Sequence, residues 1–169
     1  MKDHFEMFAA YNRWANETLY AAAATLTPEE FDSNRGAHFG SMKGTLNHLL
    51  CADRIWMRRF TGAGDAPAAL NVILFEELSA LETARKAEDE RIADWVAGVE
   101  EESLGQNFTY TPITNPQLVT QKLGSAMFHF FNHQTHHRGQ CHMILTGLGK
   151  PSLILDLVYF QRFAGKQWL

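Results

Sequence analysis

Apolar residues recur along this chain at helical rather than alternating spacing, and they divide it into four long amphipathic segments and one short one. In the first, roughly residues 3–25, Phe5, Phe8, Ala15, Leu19, Ala22 and Leu26 share a stripe that Asn12 interrupts. "TPEE" at 27–30 has the form of a capping box, with Thr27 as N-cap, Pro28 at the first helical position and Glu30 closing it, so a short helical turn is expected. "SNRGAHFG" then reads as a loop. From Ser41 a second helix turns Leu46, Leu49, Ala52, Ile55, Trp56 and Phe60 toward a core and ends before "TGAGDAP". A third spans residues 75–104, with Leu78, Leu81, Ala84, Ile92, Trp95 and Val99 near one face; its many charges are expected to be solvated and carry no assigned role. Residues 105–119 alternate and contain β-branched and aromatic residues with two prolines, which predicts a loop or small hairpin. A fourth helix runs from near Thr120 to about Leu145, stopped by "GLGKP", and a last one covers residues 152–165.

This pattern is all-α: a four-helix bundle with an additional C-terminal helix. A chain of 169 residues, 46% of them hydrophobic, suits a single domain over residues 1–169 with a substantial core. The link at 61–73 can span about 40 Å when extended, about the length of a bundle. It therefore reads either as a crossover between helices two and three or as an irregular surface loop.

Charge and cysteine content narrow the function classes. A net charge of −4, a pI near 6.0 and the lack of any Lys/Arg run argue against nucleic acid or anionic membrane as partners. Apolar runs such as "LILDLVYF" are too short to cross a bilayer, and "MKDHFEMFAAYN" lacks the pattern of a secretory signal. Cys51 and Cys141 lie ninety residues apart in apolar helical contexts, which suits free thiols in a reducing compartment. A cytoplasmic location is expected.

The candidate chemistry is concentrated in "HFFNHQTHHRGQCH" at 129–142, which holds five of the chain's eight histidines. Random placement of eight histidines in this length gives about 0.4 pairs four residues apart. Here His129, His133 and His137 supply two overlapping pairs on one helical face, continued by Cys141, while His136 and His142 point elsewhere. The same stripe carries Leu123, Ala126, Phe130 and Ile144, so it is the buried side, where neighbouring imidazoles struggle to satisfy their ring nitrogens. A metal ion solves that problem, since two imidazoles at this spacing can hold one ion. His48, central in the apolar pattern of helix two, is the candidate third ligand, against a reading as a hydrogen-bonded core histidine. His129 is expected to line a pocket beside the ion, and His4 and His38 to be exposed. Asn12 either lines a cavity or makes an interhelical hydrogen bond. Arg138 is expected to pair with a carboxylate, Asp53 being the candidate, with Asp156 as an acceptor near the last helix. Cys141 reads as a small buried hydrophobe more than as a thiolate ligand. Trp14, Trp56 and Phe130 are expected in the core.

"YNRWANETL" at 11–19, "TLNHLLCADRIWMRRF" at 45–60, "HFFNHQTHHRGQ" at 129–140 and "LGKPSLILDLVYF" at 148–160 resemble the signature segments of the DinB-like family of small metal-binding helical bundles. That resemblance implies an up-down-down-up bundle, which favours the crossover at 61–73, and a divalent metal held by His48, His133 and His137. It implies zinc, nickel or iron as the ion, a homodimer, and thiol-dependent S-transferase or isomerase activity in which a low-molecular-weight thiol is activated near the metal and meets a small electrophile. Three protein ligands leave a position open, as in catalytic zinc sites, and such a metal lowers the pKa of a bound water or thiol. Metal-dependent hydrolysis is the chemical competitor. A non-catalytic, metal-stabilised stress-response or binding module is the competing class, and a metal-free interaction protein a third.

Overall fold

The computed structural model describes residues 1–169. Its elements in chain order are α1 (Lys2–Ala23), α2 (Pro28–Asp32), α3 (Met42–Thr61), α4 (Leu78–Ala97), a 3-10 turn (Glu101–Gly105), β1 (Asn107–Tyr110), β2 (Val119–Lys122), α5 (Leu123–Gly147), α6 (Leu157–Phe163) and a closing 3-10 turn (Lys166–Trp168). The class is mainly helical, as the apolar spacing predicts, with one small antiparallel hairpin pairing Asn107 with Lys122 and Tyr110 with Val119.

Local chemistry explains most boundaries. Thr27 and Glu30 form the reciprocal capping box expected of "TPEE". Ser41 caps α3 by accepting from the Gly44 amide at 3.1 Å, and Gly62 ends that helix in the left-handed conformation, φ 70°, where a side chain would be strained. The third helix is shorter than the expected 75–104: it stops at Ala97, and Glu101–Gly105 continue only as a 3-10 turn. The hairpin reaches past 119, so the fourth helix begins at Leu123 instead of Thr120.

The last helix is also shorter than the expected 152–165. Residues 151–156 are non-helical and α6 starts at Leu157, because side chains of other helices take up the backbone groups of that segment. Tyr11 donates to the Leu155 carbonyl at 2.7 Å, and the Leu153 amide donates to His142 Nε2 at 3.1 Å.

α1 packs against α4 and α5, and α3 packs against the same two helices. The apolar core is divided in two. One part gathers Phe5, Trp56, Met57, Ile92, Met127 and Phe130; the other gathers Leu19, Leu46, Leu50, Leu81, Ile144 and Leu145. Each long helix carries buried polar residues between those two sets in sequence: Asn12 and Asn16 on α1, Asp53 on α3, Arg85 and Asp89 on α4, Gln134 and Arg138 on α5; α3 also buries Thr45, Asn47 and His48 nearer its start.

This overturns the expectation of a solvated α4, since Arg85, Glu88 and Asp89 are all buried. Arg85 reaches Asp53 at 2.5 Å and Asp89 at 3.1 Å. Gln134 donates to Asp53 at 2.7 Å, and Asn12 and Asn16 donate to Asp89 at 3.0 and 2.9 Å. Asn12 is thus an interhelical hydrogen-bonding residue. Arg138 does not pair with Asp53; it donates to Asn12 and lies over the Tyr11 ring, 5.2 Å from its centroid. Buried charges are costly unless paired and hydrogen-bonded; Arg85, Asp53 and Asp89 are paired, while Arg138 rests on the Asn12 amide oxygen and the Tyr11 ring, and Arg85 Nε and Arg138 Nε have no partner.

Candidate metal centre

α3 and α5 bring His48, His133 and His137 together, with one ring nitrogen of each lying within 4.8 Å of the others. The three Nε2 atoms are 3.1 Å apart between His133 and His137, 3.2 Å between His48 and His137, and 3.4 Å between His48 and His133. The i,i+4 spacing on α5 sets the first distance, and the seating of α3 against α5 sets the other two.

The other ring nitrogens explain why these atoms face one another. His48 Nδ1 lies 2.8 Å from the Leu70 carbonyl, and His137 Nδ1 lies 2.8 Å from Gln140 Oε1. An oxygen acceptor requires a proton on each Nδ1, so in the neutral rings both Nε2 atoms are bare lone pairs. A proton on His133 Nε2 can serve only one of them. A cation at the centre satisfies all three, and the carbonyl and amide behind the rings are the partners that orient metal-binding imidazoles. The spacing also fits. Nitrogens about 2.0–2.1 Å from a common zinc at the tetrahedral angle lie about 3.3–3.4 Å apart, against the 3.1–3.4 Å observed.

Neighbouring segments hold this arrangement. Phe39 stacks on the His48 ring with centroids 3.7 Å apart. Its approach depends on Gly44, where a Cβ would sit 2.0 Å from the Phe39 carbonyl oxygen. The connection between α3 and α4 is fastened to α3 by Asn47, whose Oδ1 accepts from the Leu74 and Phe75 amides at 2.8 and 3.0 Å. That fastening helps bring the Leu70 carbonyl to His48. Asn47, Phe39 and Leu70 carry no sequence mark of a site role, and Gln140, which by helical spacing projects off the histidine face, still reaches His137. Only Gln140 had a readable signal, its position three residues after His137.

Burial keeps the cluster neutral. His133 is lowered to about 3 by desolvation and then by the adjacent imidazoles, and His48 to about 4 by desolvation, while His137 is lowered by the same cause. Neutral imidazole is the metal-binding form, so the site is poised to bind at physiological pH. His48 and His137 are buried, but His133 is only half-buried and borders a cavity of about 220 Å3 that His129 also lines.

The remaining candidates fall outside the cluster. His4, His38 and His136 are exposed, and His142 Nε2 accepts from the Leu153 amide and lies 3.0 Å from the Ser152 hydroxyl. Cys141 is buried in the apolar core and its thiol is pushed up to about 12 by desolvation, which rules against an activated thiolate. Both cysteines are free. Asp156 is exposed and supplies only its carbonyl, to the first turn of α6. Phe130 and Trp56 are buried, Trp14 partly so. No helix is long and apolar enough to cross a membrane.

No curated protein matches the sequence. The model of the DinB family matches residues 1–168, and with a helical fold that assembles three histidines in metal-binding geometry, the chain belongs to the DinB family.

Proposed function

We propose that His48, His133 and His137 hold one divalent ion, zinc in the first place with nickel or iron as alternatives, and that the site transfers a low-molecular-weight thiol to a small electrophile. The observation that carries this reading is the asymmetry of the cluster: two buried, oriented imidazoles and a third, half-buried one that borders a cavity. A closed structural site would have no such side. When bound, the ion would supply Lewis acidity and lower the pKa of a thiol or water beside it. The chain itself fixes the tautomers through Leu70 and Gln140, covers the His48 ring with Phe39 and leaves the His133 side bordering the cavity.

The hydrolytic reading uses the same open side with water in place of the thiol. Both readings share the site, since His129 on the cavity wall is placed to take a proton from either water or a thiol, and the thiol requirement is what separates them.

The reading extends to the bundle and its setting. Four long helices running up-down-down-up, with residues 62–77 as the crossover, account for the cross-helix pairs. Phe5 meets Phe128 and Asn12 meets Arg138; His48 meets His137 and Trp56 meets His129; Arg54 meets Glu88 and Thr61 meets Arg91. Two free, buried thiols suit a reducing cytoplasm. Exposed Phe128, Met143, Ile154, Val158 and Phe163 suit pairing with a second copy.

The test is a panel of cellular thiols assayed with an electrophilic aromatic chloride and the zinc-loaded protein. Thiol consumption well above the uncatalysed rate, absent in His133→Ala, supports transfer. Turnover of an activated ester without any thiol requirement supports hydrolysis instead.

A further inference from the structure

The cavity of about 220 Å3 beside His133 has a feature that holding a metal does not require. On the wall formed by α3 and the hairpin sits Arg59, half-buried between two aromatic rings, 4.7 Å from the Trp56 centroid and 4.8 Å from that of Tyr110. Its one hydrogen bond runs from Nη2 to the Thr111 carbonyl at 3.1 Å. No aspartate or glutamate lines the cavity, so the guanidinium faces it with donors to spare and no counter-charge. The other half-buried or buried arginines of α3 and α4 have carboxylates instead: Arg54 and Arg91 reach Glu88, and Arg85 reaches Asp53. Burial lowers the pKa of Arg59, as expected of a cation partly stripped of water without an anion to replace it.

Arg59 also lies on the same stripe of α3 as His48, eleven residues or about 16 Å further along the axis. Side chains lean toward a helix's N-terminus, which carries the guanidinium back toward the histidine cluster. A ligand that touches both must therefore be elongated. The cavity holds the volume of about seven waters at about 30 Å3 each, enough for a short organic acid and too little for a nucleotide.

We infer that this cavity binds a small organic acid end-on, its carboxylate on Arg59 and its other end, several bonds away, at the His48–His133–His137 centre. Trp56 and Tyr110 hold the guanidinium plane, and the hairpin residues Pro112, Ile113 and Thr114 wall the ligand from solvent. Arg59 is a specificity-determining residue, because an uncharged analogue leaves its cation unpaired. This inference rests on the metal-binding part of the proposed function and not on thiol transfer.

The experiment is calorimetric titration of the zinc-loaded protein with two probes that differ only at the tail: adipic acid monohydroxamate, and the same hydroxamate with a terminal primary amide. Wild type is expected to bind the acid about tenfold to a hundredfold more tightly than the amide, the scale of a hydrogen bond to a charged group. Arg59→Gln is expected to abolish that preference while changing amide binding less than about twofold, and Arg59→Lys to restore part of it. Equal binding of the two probes by wild type, equal losses of both in Arg59→Gln, or no binding of either overturns the inference. Zinc content measured on the same samples separates the cases: intact zinc with no acid preference removes only the Arg59 site, whereas absence of zinc removes the metal reading and this inference together.

Discussion

Two buried polar clusters occupy adjacent positions on α5 and behave oppositely. His133 and His137 face α3, and their neighbours Gln134 and Arg138 face the network of Asn12, Asn16, Asp53, Arg85 and Asp89. In the network, Arg85 meets the carboxylates of Asp53 and Asp89, those carboxylates accept from Gln134, Asn12 and Asn16, and Arg138 donates to Asn12, so the protein supplies most of its own partners. In the histidine cluster, acceptors meet acceptors and the answer must come from outside. The comparison teaches how to separate structure from function in a buried polar group: the set that is largely paired within itself fixes how the helices dock, and the set short of one cation is the candidate binding site.

The largest expected effect lies in the network. Arg85→Ala leaves Asp53 and Asp89 buried without their shared cation, and a stability loss of about 3–5 kcal/mol is expected in denaturant unfolding. Metal affinity of the folded fraction should hardly change, because neither carboxylate touches an imidazole. A mild loss with collapse of metal affinity would mean the two clusters are one system.

A smaller effect is expected behind the site. Gln140→Ala removes the acceptor that keeps the proton on His137 Nδ1, and should weaken zinc binding about 10–100-fold in a competition titration. His136→Ala, one position from His137 but exposed, should leave affinity nearly unchanged. Similar losses in both variants would count against the tautomer argument.

The smallest effect separates the clusters by the sign of their pH response, measured on metal-free protein. His133 and His48 have folded pKa values of about 3 and about 4 against an ordinary 6.5, so the unfolded chain binds more protons and stability falls as pH drops below about 6.5. Burial raises Asp53 to about 6 from 3.8, so its contribution runs the other way: present below the unfolded value and lost as pH rises through about 6. Asp53→Asn should therefore steepen the acid loss between about pH 6 and 4. A shallower profile would reverse the assigned roles.

The two clusters also differ in how far the sequence discloses them. His133 and His137 stand out because histidines at i,i+4 within an apolar stripe are few, His48 because it lies central in the apolar pattern of its own helix, and the structure brings those three together. The network is hidden because charge is ordinarily a sign of solvent. In α4, however, Leu81, Arg85, Glu88, Asp89, Ile92 and Val96 form one continuous buried stripe, so its charges sit where apolar residues are expected. Periodicity finds the face, but not that three of its members are ionic. The four long helices and the capping box were legible for the same reason that short-range rules work. The extended segment before α6 was not, because distant side chains, Tyr11 and His142, decide where its backbone groups bond. The walls of the site were equally hidden: Leu70 acts through a carbonyl, and Phe39 through an approach that Gly44 permits.

Elemental analysis of tag-free protein, wild type beside His133→Ala, tests the central claim most directly. About one zinc, nickel or iron per chain in wild type, lost in the variant while its helical spectrum is retained, is the expected result. No bound ion in wild type after incubation with each metal in turn, or equal content in the variant, would contradict it.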